Sequence, residues 1–162
     1  MSINWVADIA EMHRKYGVKE AVANFDKEKF QKFLEFRINF LQEELDELKA
    51  AQNADDVVDA LIDLCVVAIG TLDAYNVNSY LAWDQVHTAN MAKEVGIKAS
   101  RPNKLGLPDL IKPDGWKAPC HFDNVGVLDQ IEYPLSVTTF KEDENQSEKP
   151  VVTKKRKSVK SE

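Results

Sequence analysis

Apolar residues recur at spacings of three and four through the first hundred residues of the chain, which is the period of an α-helix. Each of four such segments follows a side chain that can cap the start of a helix. These cap residues are Asn4, Asp26, Asn53 and Asn78. Gly17 and Gly96 are expected to end the first and the last helix. The predicted helices cover residues 5–16, 26–49, 53–72 and 79–94.

The second and third predicted helices carry more apolar surface than one core stripe needs. Phe36 and Phe40 lie off the main stripe of the second helix, which indicates a second buried face and hence a partner subunit. The third helix is apolar nearly all round from Val57 to Leu72. This composition predicts that it is the central buried helix.

The composition changes after residue 98, where prolines and glycines become frequent. Several large apolar residues in this part need burial, so we expect an irregular arm over residues 99–140 that packs on the bundle. They are Leu105, Leu107, Leu110, Ile111 and Trp116. Short extended pieces are expected between Val125 and Phe140. Residues 141–162 have few apolar side chains, which predicts a disordered charged tail. The predicted fold is all-α, with a four- to five-helix catalytic bundle over residues 1–98.

Composition and charge restrict the function classes. The net charge of -6 argues against a nucleic-acid surface on the folded part, and the basic residues 154–157 of the tail are expected to be solvated. The two cysteines and three histidines form no cluster with zinc-ligand spacing. The start of the chain lacks the pattern of a signal peptide, and residues 64–72 are too few to span a bilayer. We therefore expect a cytoplasmic protein that does not contact membranes.

Paired carboxylates lie on two consecutive predicted helices. Glu44 and Glu47 are three residues apart on the second helix and share one face. On the third helix, Asp56, Asp59 and Asp63 are spaced three and four apart and share another face. Asp63 also opens an apolar run, where a carboxylate is costly without a cation or hydrogen-bond donors. Oxygen ligands suit Mg²⁺ or Mn²⁺, so the two helices are expected to hold such an ion between them.

A phosphate chain fits this predicted metal site better than other substrates of carboxylate enzymes. Glycosidases need a sugar cleft, and di-iron bundles need Glu-x-x-His motifs, which this sequence lacks. A magnesium site can neutralise phosphate oxygens and activate a water for attack. Basic residues should line the approach, and Arg37 and Lys93 are the best candidates because they lie on helices that border the predicted pocket.

Four segments of the sequence, taken in order, resemble a known superfamily. Residues 43–47 (Glu-Glu-Leu-Asp-Glu) and 59–71 (Asp-Ala-Leu-Ile-Asp-Leu-Cys-Val-Val-Ala-Ile-Gly-Thr) resemble the all-α nucleoside triphosphate pyrophosphohydrolases. This superfamily includes the MazG-like proteins, dimeric dUTPases and phosphoribosyl-ATP pyrophosphohydrolases. Residues 86–93 and 112–119 resemble the phosphoribosyl-ATP pyrophosphohydrolase-like branch. The resemblance extends over residues 5–120.

The family pattern is Glu-Glu-x-x-Glu, a spacer, and Glu-x-x-Asp. Carried over, it implies a catalytic group made of Glu43, Glu44 and Glu47 on the second helix. Glu44 and Glu47 become metal ligands, and Glu43 becomes an outer-sphere partner or water activator. Asp63 becomes a metal ligand on the third helix.

The sequence departs from this pattern at one position of the third helix. If Asp63 closes the second motif, the expected Glu falls on Ala60, and the neighbouring Asp59 must substitute as a metal ligand. Alternatively, Asp56 and Asp59 take the places of that Glu and Asp. The resemblance leaves both ligand sets open, and with them the number of metal ions.

The resemblance implies Mg²⁺-dependent hydrolysis of a (deoxy)nucleoside triphosphate to the monophosphate and pyrophosphate, a reaction that controls nucleotide pools. It also implies a homodimer or homotetramer, since the base pocket in this family is usually built at a subunit interface. Asn90 is expected near that pocket, where its amide can read a base or ribose. Asn90, Lys93 and Arg37 together form the predicted substrate-binding set.

Two other classes of function make different predictions. A non-catalytic helical adaptor would present the carboxylates as a solvated acidic face with Asp63 exposed. A protein that acts on nucleic acid through its basic tail would bind DNA in a salt-dependent way, and would lose this binding without residues 141–162. Neither class explains an aspartate at the head of an apolar run.

Overall fold

A computed structural model describes residues 2–98, 104–107 and 109–135 of the chain. The described residues form five α-helices, one short 3₁₀ helix and one two-stranded sheet. The helices are α1 (Trp5–Lys15), α2 (Val18–Ala23), α3 (Lys27–Ala50), α4 (Ala54–Ala74) and α5 (Ser79–Met91). The strands are β1 (Glu94–Gly96) and β2 (Asp109–Ile111), and the 3₁₀ helix is Gly126–Gln130. The predicted all-α class is confirmed. The predicted tail, residues 141–162, lies outside the described residues. The same holds for residues 136–140 of the predicted extended pieces.

All four predicted helix caps are confirmed. In each case a side-chain oxygen of the cap residue accepts a hydrogen bond from a backbone N–H of the first turn, at 2.9 to 3.1 Å. The caps are Asn4, Asp26, Asn53 and Asn78. The boundaries of these helices are therefore set by local interactions, which explains why a sequence pattern finds them.

Two elements differ from the sequence prediction. A short helix, α2, follows Gly17, whose positive φ of 71° ends α1 and turns the chain. The last helix ends at Met91 rather than 94, and residues 94–96 form β1, which pairs antiparallel with β2. Both strands have only three residues, too few for the alternation of apolar and polar side chains to be recognised.

The main hydrophobic core lies where the start of α3 meets the end of α4. Its buried residues are Val22, Phe30, Ala74, Tyr75, Val77 and Ile131. Tyr75 is fully buried, and its hydroxyl donates a hydrogen bond of 2.7 Å to the carbonyl of Phe30. Burial raises the pKa of the Tyr75 hydroxyl, which therefore stays a donor. This core closes one end of the α3–α4 pair, and the predicted carboxylate site lies towards the other.

The prediction that α4 is the central helix is confirmed, because α4 packs against α1, α2, α3 and α5. The prediction that it is buried is wrong for the single chain. Its fully buried residues are confined to one face and are mostly small: Ala60, Val67, Gly70 and Ala74. Val58 is 60% exposed and Leu61 is 47% exposed. The helices that pack on α4, mainly α3 and α1, cover only part of its circumference. The apolar pattern correctly marks α4 as hydrophobic, but it does not show what covers each face.

The described part of the arm is attached both by hydrogen bonds and by apolar packing. The indole N–H of Trp116 donates to the carbonyl of Ala89 at 2.7 Å, and the backbone N–H of Val127 donates to the carbonyl of Tyr75 at 2.9 Å. The side chain of Asn124 bonds both backbone groups of Asn78, at 2.8 and 2.9 Å. Further along, Ile131 is part of the main core, and Leu128 and Leu135 pack against it. The expected burial is wrong for Leu105, Leu107 and Leu110, which are exposed.

Candidate active site

A helical hairpin carries the predicted carboxylates. Helices α3 and α4 pack along each other and are joined by only three residues, Ala51–Asn53. Glu44 lies on the covered side of α3 and is only 7% exposed. Glu43 and Glu47 are exposed on either side of it along the helix. On α4, Asp59 is exposed and Asp63 is partly buried.

The electrostatics of Glu44 show that these five carboxylates act on one another. Burial raises the pKa of Glu44 above its ordinary value, and the neighbouring negative charges raise it further. In order of effect, those charges are Glu47, Asp63, Glu43 and Asp59. Two of the four belong to α3 and two to α4. The hairpin therefore places the other four predicted carboxylates within electrostatic range of Glu44.

No cation balances this charge within the described part of the chain. None of the five carboxylates forms an ion pair or a side-chain hydrogen bond with a described residue. Exposed acids elsewhere on α3 do have lysine partners: Glu28 lies 2.6 Å from Lys32, and Asp46 lies 2.8 Å from Lys49. The carboxylates around Glu44 thus differ from the ordinary acidic surface of the same helix.

The fit of a metal ion follows from the donor set. All candidate donors are carboxylate oxygens, which suit Mg²⁺ and Mn²⁺. In the part of the chain that the structure describes, no three Asp, Glu, His or Cys side chains lie close enough to hold an ion as they stand. Glu47 and Asp59 are exposed, so rotation about their side-chain bonds is free to bring their oxygens towards Glu44. The residues therefore fit a divalent ion by the chemistry of their oxygen donors, and their side chains would have to move together to bind it.

Arg37 lies on α3 two turns before Glu44 and is bound to α4. Its Nε donates to the hydroxyl of Thr71 at 2.9 Å, and its Nη2 donates to the carbonyl of Val67 at 2.7 Å. Burial lowers the pKa of this guanidinium. A side chain at Gly70 would crowd both Arg37 and His13, so the glycine lets these groups approach α4. Sequence reasoning named Arg37 but not these partners, which join two helices.

Asn90 and Lys93 lie together at the end of α5, next to the arm. The Nζ of Lys93 donates a hydrogen bond of 2.7 Å to Oδ1 of Asn90 and lies 5.7 Å from the ring centre of Trp116. Within the described chain, no hydrogen bond or ion pair connects either residue to the carboxylates around Glu44. The structure thus brings together the predicted carboxylates as one group and Asn90 with Lys93 as another.

The sequence reasoning missed a polar cluster around Asp73 that joins α1 and α2 to α4. Nδ1 of His13 lies 2.7 Å from Oδ2 of Asp73, and Nζ of Lys19 lies 2.9 Å from Oδ1 of the same carboxylate. The available signal was weak: His13 is one helical turn from the buried Ile9. The cluster holds α1 and α2 against the end of α4.

Comparison with known proteins finds a family likeness in the helical part. Residues 12–90 match the family model of phosphoribosyl-ATP pyrophosphohydrolase. That family belongs to the MazG-like nucleoside triphosphate pyrophosphohydrolase superfamily. These are hydrolases that act on phosphoanhydride bonds. No curated protein and no solved structure matches the chain significantly.

The matched residues of this MazG-like bundle include all five carboxylates of the hairpin, Arg37 and Asn90, but not Lys93 or the arm. Among the described residues, no helix is both long and apolar enough to cross a membrane.

The geometry also bears on the departure from the superfamily pattern in α4. Asp56 accepts a hydrogen bond of 2.9 Å from the backbone N–H of Gln52, so its carboxylate closes the loop between the two helices. Asp59 and Asp63 are among the charges that raise the pKa of Glu44, whereas Asp56 is not. Ala60 is buried on the covered face of α4. These contacts favour Asp59 and Asp63 over Asp56 and Asp59 as the acidic pair of this MazG-like bundle.

Proposed function

We propose that this MazG-like bundle hydrolyses a nucleoside triphosphate to the monophosphate and pyrophosphate, with a divalent cation held by the carboxylates of the hairpin. The observation that carries the proposal is the state of Glu44. It is a buried carboxylate with a raised pKa, and four further carboxylates surround it without a balancing cation among the described residues. Such a cluster is costly in isolation and favourable when it binds a divalent cation.

Each carboxylate has a role that follows from its placement. Glu44 and Glu47 on α3, with Asp59 and Asp63 on α4, would hold the ion. Bound Mg²⁺, with Mn²⁺ as a substitute, would neutralise phosphate oxygens and acidify a water. Glu43 is exposed beside Glu44 and makes no hydrogen bond with a described side chain, so its carboxylate is free to accept the proton of the attacking water.

An apolar groove formed in part by the second half of α4 supports a nucleoside as the rest of the substrate. It has a volume of about 970 Å³, and α1, α4 and α5 contribute side chains such as Trp5, Ile69 and Trp83. Its walls are mainly apolar, with a few polar groups that include His121 and Asn124. Nδ1 of His121 is buried without a hydrogen-bond partner among the described residues. An apolar groove with an unused polar atom suits a nucleobase, which has flat faces and hydrogen-bonding edges.

The position of the metal site sets the bond that breaks. With the nucleoside in the groove and the cation in the hairpin, the α-phosphorus would face the activated water, and the β- and γ-phosphates would leave together as pyrophosphate. In ¹⁸O-water, the label is expected on the monophosphate, with no orthophosphate at early times. Label in orthophosphate, with diphosphate as the other product, would mean that the enzyme cuts at the γ-phosphate.

The decisive experiment is a panel of ribo- and deoxyribonucleoside triphosphates with Mg²⁺, read as pyrophosphate release. We expect turnover that stops when EDTA is added and returns with excess Mg²⁺. An Asp46→Asn variant is the matched control, because Asp46 lies on α3 between Glu44 and Glu47 but pairs with Lys49. Absence of turnover for every nucleotide, with the protein folded, would overturn the proposal.

The exposed apolar surface supports a second copy of the chain as partner. Phe36 on α3 and Val58, Leu61 and Ile62 on α4 are exposed in the single chain. Apolar patches of this kind on a folded protein mark association surfaces. We expect light scattering to show a homodimer or homotetramer. The substitution Leu61→Asp should dissociate this oligomer. A monomer at micromolar concentration would contradict this part of the proposal.

The rival classes of function receive less support. An adaptor with a solvated acidic face requires exposed carboxylates, but Glu44 is buried and Asp63 is partly buried. The basic cluster of the tail lies outside the described residues. Mg²⁺-dependent turnover by a variant that lacks residues 141–162 would separate the enzyme from a tail-dependent nucleic-acid-binding protein.

A further inference from the structure

The ring of Trp116 in the arm holds two lysine ammonium groups. Nζ of Lys112 lies 4.4 Å from the ring centre, and Nζ of Lys93 lies 5.7 Å from it. Both distances are in the range of a cation–π interaction. The two Nζ atoms can be no further apart than the sum of these two distances. One diphosphate or triphosphate chain is long enough to contact both nitrogens.

The position of this ring is fixed by the backbone on both sides. Its indole N–H donates to the carbonyl of Ala89 on α5 at 2.7 Å. Its backbone N–H donates to the carbonyl of Pro113 at 3.0 Å, which closes a four-residue turn. Gly115 occupies the third position of that turn with φ of +76°, a conformation that favours glycine. The turn and α5 together thus hold Trp116, and with it the two lysines, in place.

Among the described residues, neither ammonium group has a carboxylate partner. Within that part of the chain, Lys93 bonds only the neutral amide of Asn90, and Lys112 forms no ion pair. Other lysines do have such partners; Lys98, for example, lies 3.7 Å from Asp109. Two unpaired positive charges next to one ring repel each other, although the net charge of the chain is -6. An anion between them would remove this repulsion.

We propose that Lys93, Lys112 and Trp116 form a binding site for the phosphate chain of a diphosphate or triphosphate. Lysine ammonium groups bind phosphate oxygens as point charges, and Trp116 sets their spacing. The site extends phosphate recognition to the arm, which lies beyond the residues of the family match. It does not require that the carboxylates catalyse a reaction, so it can be tested separately from the proposed function.

An open cleft of about 390 Å³ on the same tryptophan gives room for the remainder of the ligand. Its polar lining residues are Gln85, Thr88, Asp114 and Lys117. Asp114 makes the cleft a poor place for the phosphates themselves. The phosphate chain is therefore assigned to the two lysines, and the cleft to the uncharged part of the ligand.

The test measures binding of inorganic pyrophosphate to the full chain by calorimetry, with EDTA present to exclude binding through a metal. Lys112→Gln should weaken binding at least about tenfold, the effect of one charge-assisted contact. Lys112→Arg, which keeps the charge, should restore most of the affinity. Lys15→Gln is the control, because Lys15 is an exposed lysine on α1 whose Nζ also lies over an aromatic ring, 5.1 Å from the centre of Tyr16, but has no part in the proposed site; its binding should equal that of the wild type.

Equal weakening by Lys112→Gln and Lys15→Gln would show that only net charge matters, and would overturn the proposal. No binding of pyrophosphate to the wild type would also overturn it. A non-hydrolysable triphosphate analogue distinguishes two sources of the ligand: it displaces pyrophosphate if the substrate uses the site, and binds alongside it if a free polyphosphate does. Loss of the proposed enzymatic activity would leave these binding results unchanged.

Discussion

Nε of Arg37 lies 2.9 Å from the hydroxyl oxygen of Thr71, and this hydroxyl donates its own proton to the carbonyl of Val67 at 2.7 Å. The same carbonyl accepts from Nη2 of Arg37, also at 2.7 Å. Three hydrogen bonds thus form a closed ring between α3 and α4. The ring lies two helical turns from Glu44 and fixes the separation of the two helices at the level of the site.

Thr71→Val should destabilise the protein by about 1–3 kcal/mol, because it keeps the shape of the side chain but leaves a buried donor of Arg37 without its acceptor. Urea unfolding measures this change. Thr88→Val, on the exposed side of α5, is the control and should stay within about 0.5 kcal/mol of the wild type. If Thr71→Val instead left stability unchanged and raised KM, Arg37 would be a substrate ligand rather than a link between helices.

Asp63→Asn should lower Mg²⁺-dependent turnover at least about a hundredfold, the loss that follows removal of one key electrostatic group. The side chain keeps its size, so the metal-free protein should fold as well as the wild type. Circular dichroism verifies the fold, and pyrophosphate release measures the rate. Full Mg²⁺-dependent activity in this variant would exclude Asp63 as a metal ligand.

Glu44→Gln should stabilise the metal-free protein at neutral pH. The folded-state pKa of Glu44 is raised above the ordinary 4.5, first by burial and then by the other carboxylates, so its charged form disfavours the folded state. As the pH falls through that raised pKa, wild-type Glu44 takes up a proton and recovers the lost stability. The difference in melting temperature should thus be largest at neutral pH and vanish below pH 4.5.

The control for this pH series is Glu11→Gln, which alters an exposed carboxylate on α1. It should not reproduce the pH-dependent difference. Added Mg²⁺ should reverse the order of the melting temperatures, because the ion stabilises only the wild-type site. An unchanged order with saturating Mg²⁺ would argue against Glu44 as a ligand.

Gly126→Ala should destabilise the protein by about 2 kcal/mol or more. Gly126 has φ of +55°, and an added Cβ would collide with the backbone carbonyl of Tyr75, which the 3₁₀ helix contacts. Gly106→Ala is the matched control: its φ is also positive, at +69°, but a Cβ there meets nothing. The difference between the free energies of unfolding of the two variants, measured in urea, gives the cost of the collision. Equal losses of stability would mean that only backbone strain matters.

The sequence predicts those parts of the fold that depend on neighbouring residues. The caps Asn4, Asp26, Asn53 and Asn78 bond backbone groups two or three residues away, so the starts of four helices follow from local pattern. The short helix α2 and the burial of α4 do not follow in this way. The apolar face with Val58 and Leu61 looks the same in sequence whether it is covered or exposed.

The candidate site, too, follows from the sequence only where its residues are close along the chain. Glu44 and Asp63 belong to helices joined by three residues, so their spacing within each helix suffices to predict that they meet. The environment of Lys93 does not follow, because the contacting Trp116 is 23 positions later, beyond a stretch without regular periodicity. Likewise, nothing in the sequence around Arg37 indicates that its partner is Thr71.

The three-residue connection between α3 and α4 also has a kinetic consequence. Closing so short a loop costs little chain entropy, so this hairpin is expected to form early in folding. Because all five carboxylates lie within it, their mutual repulsion already opposes the folding transition state. Divalent cations, or a lower pH, should therefore speed refolding more than they slow unfolding. We therefore expect the chemistry of the site and the rate of folding to depend on the same charges.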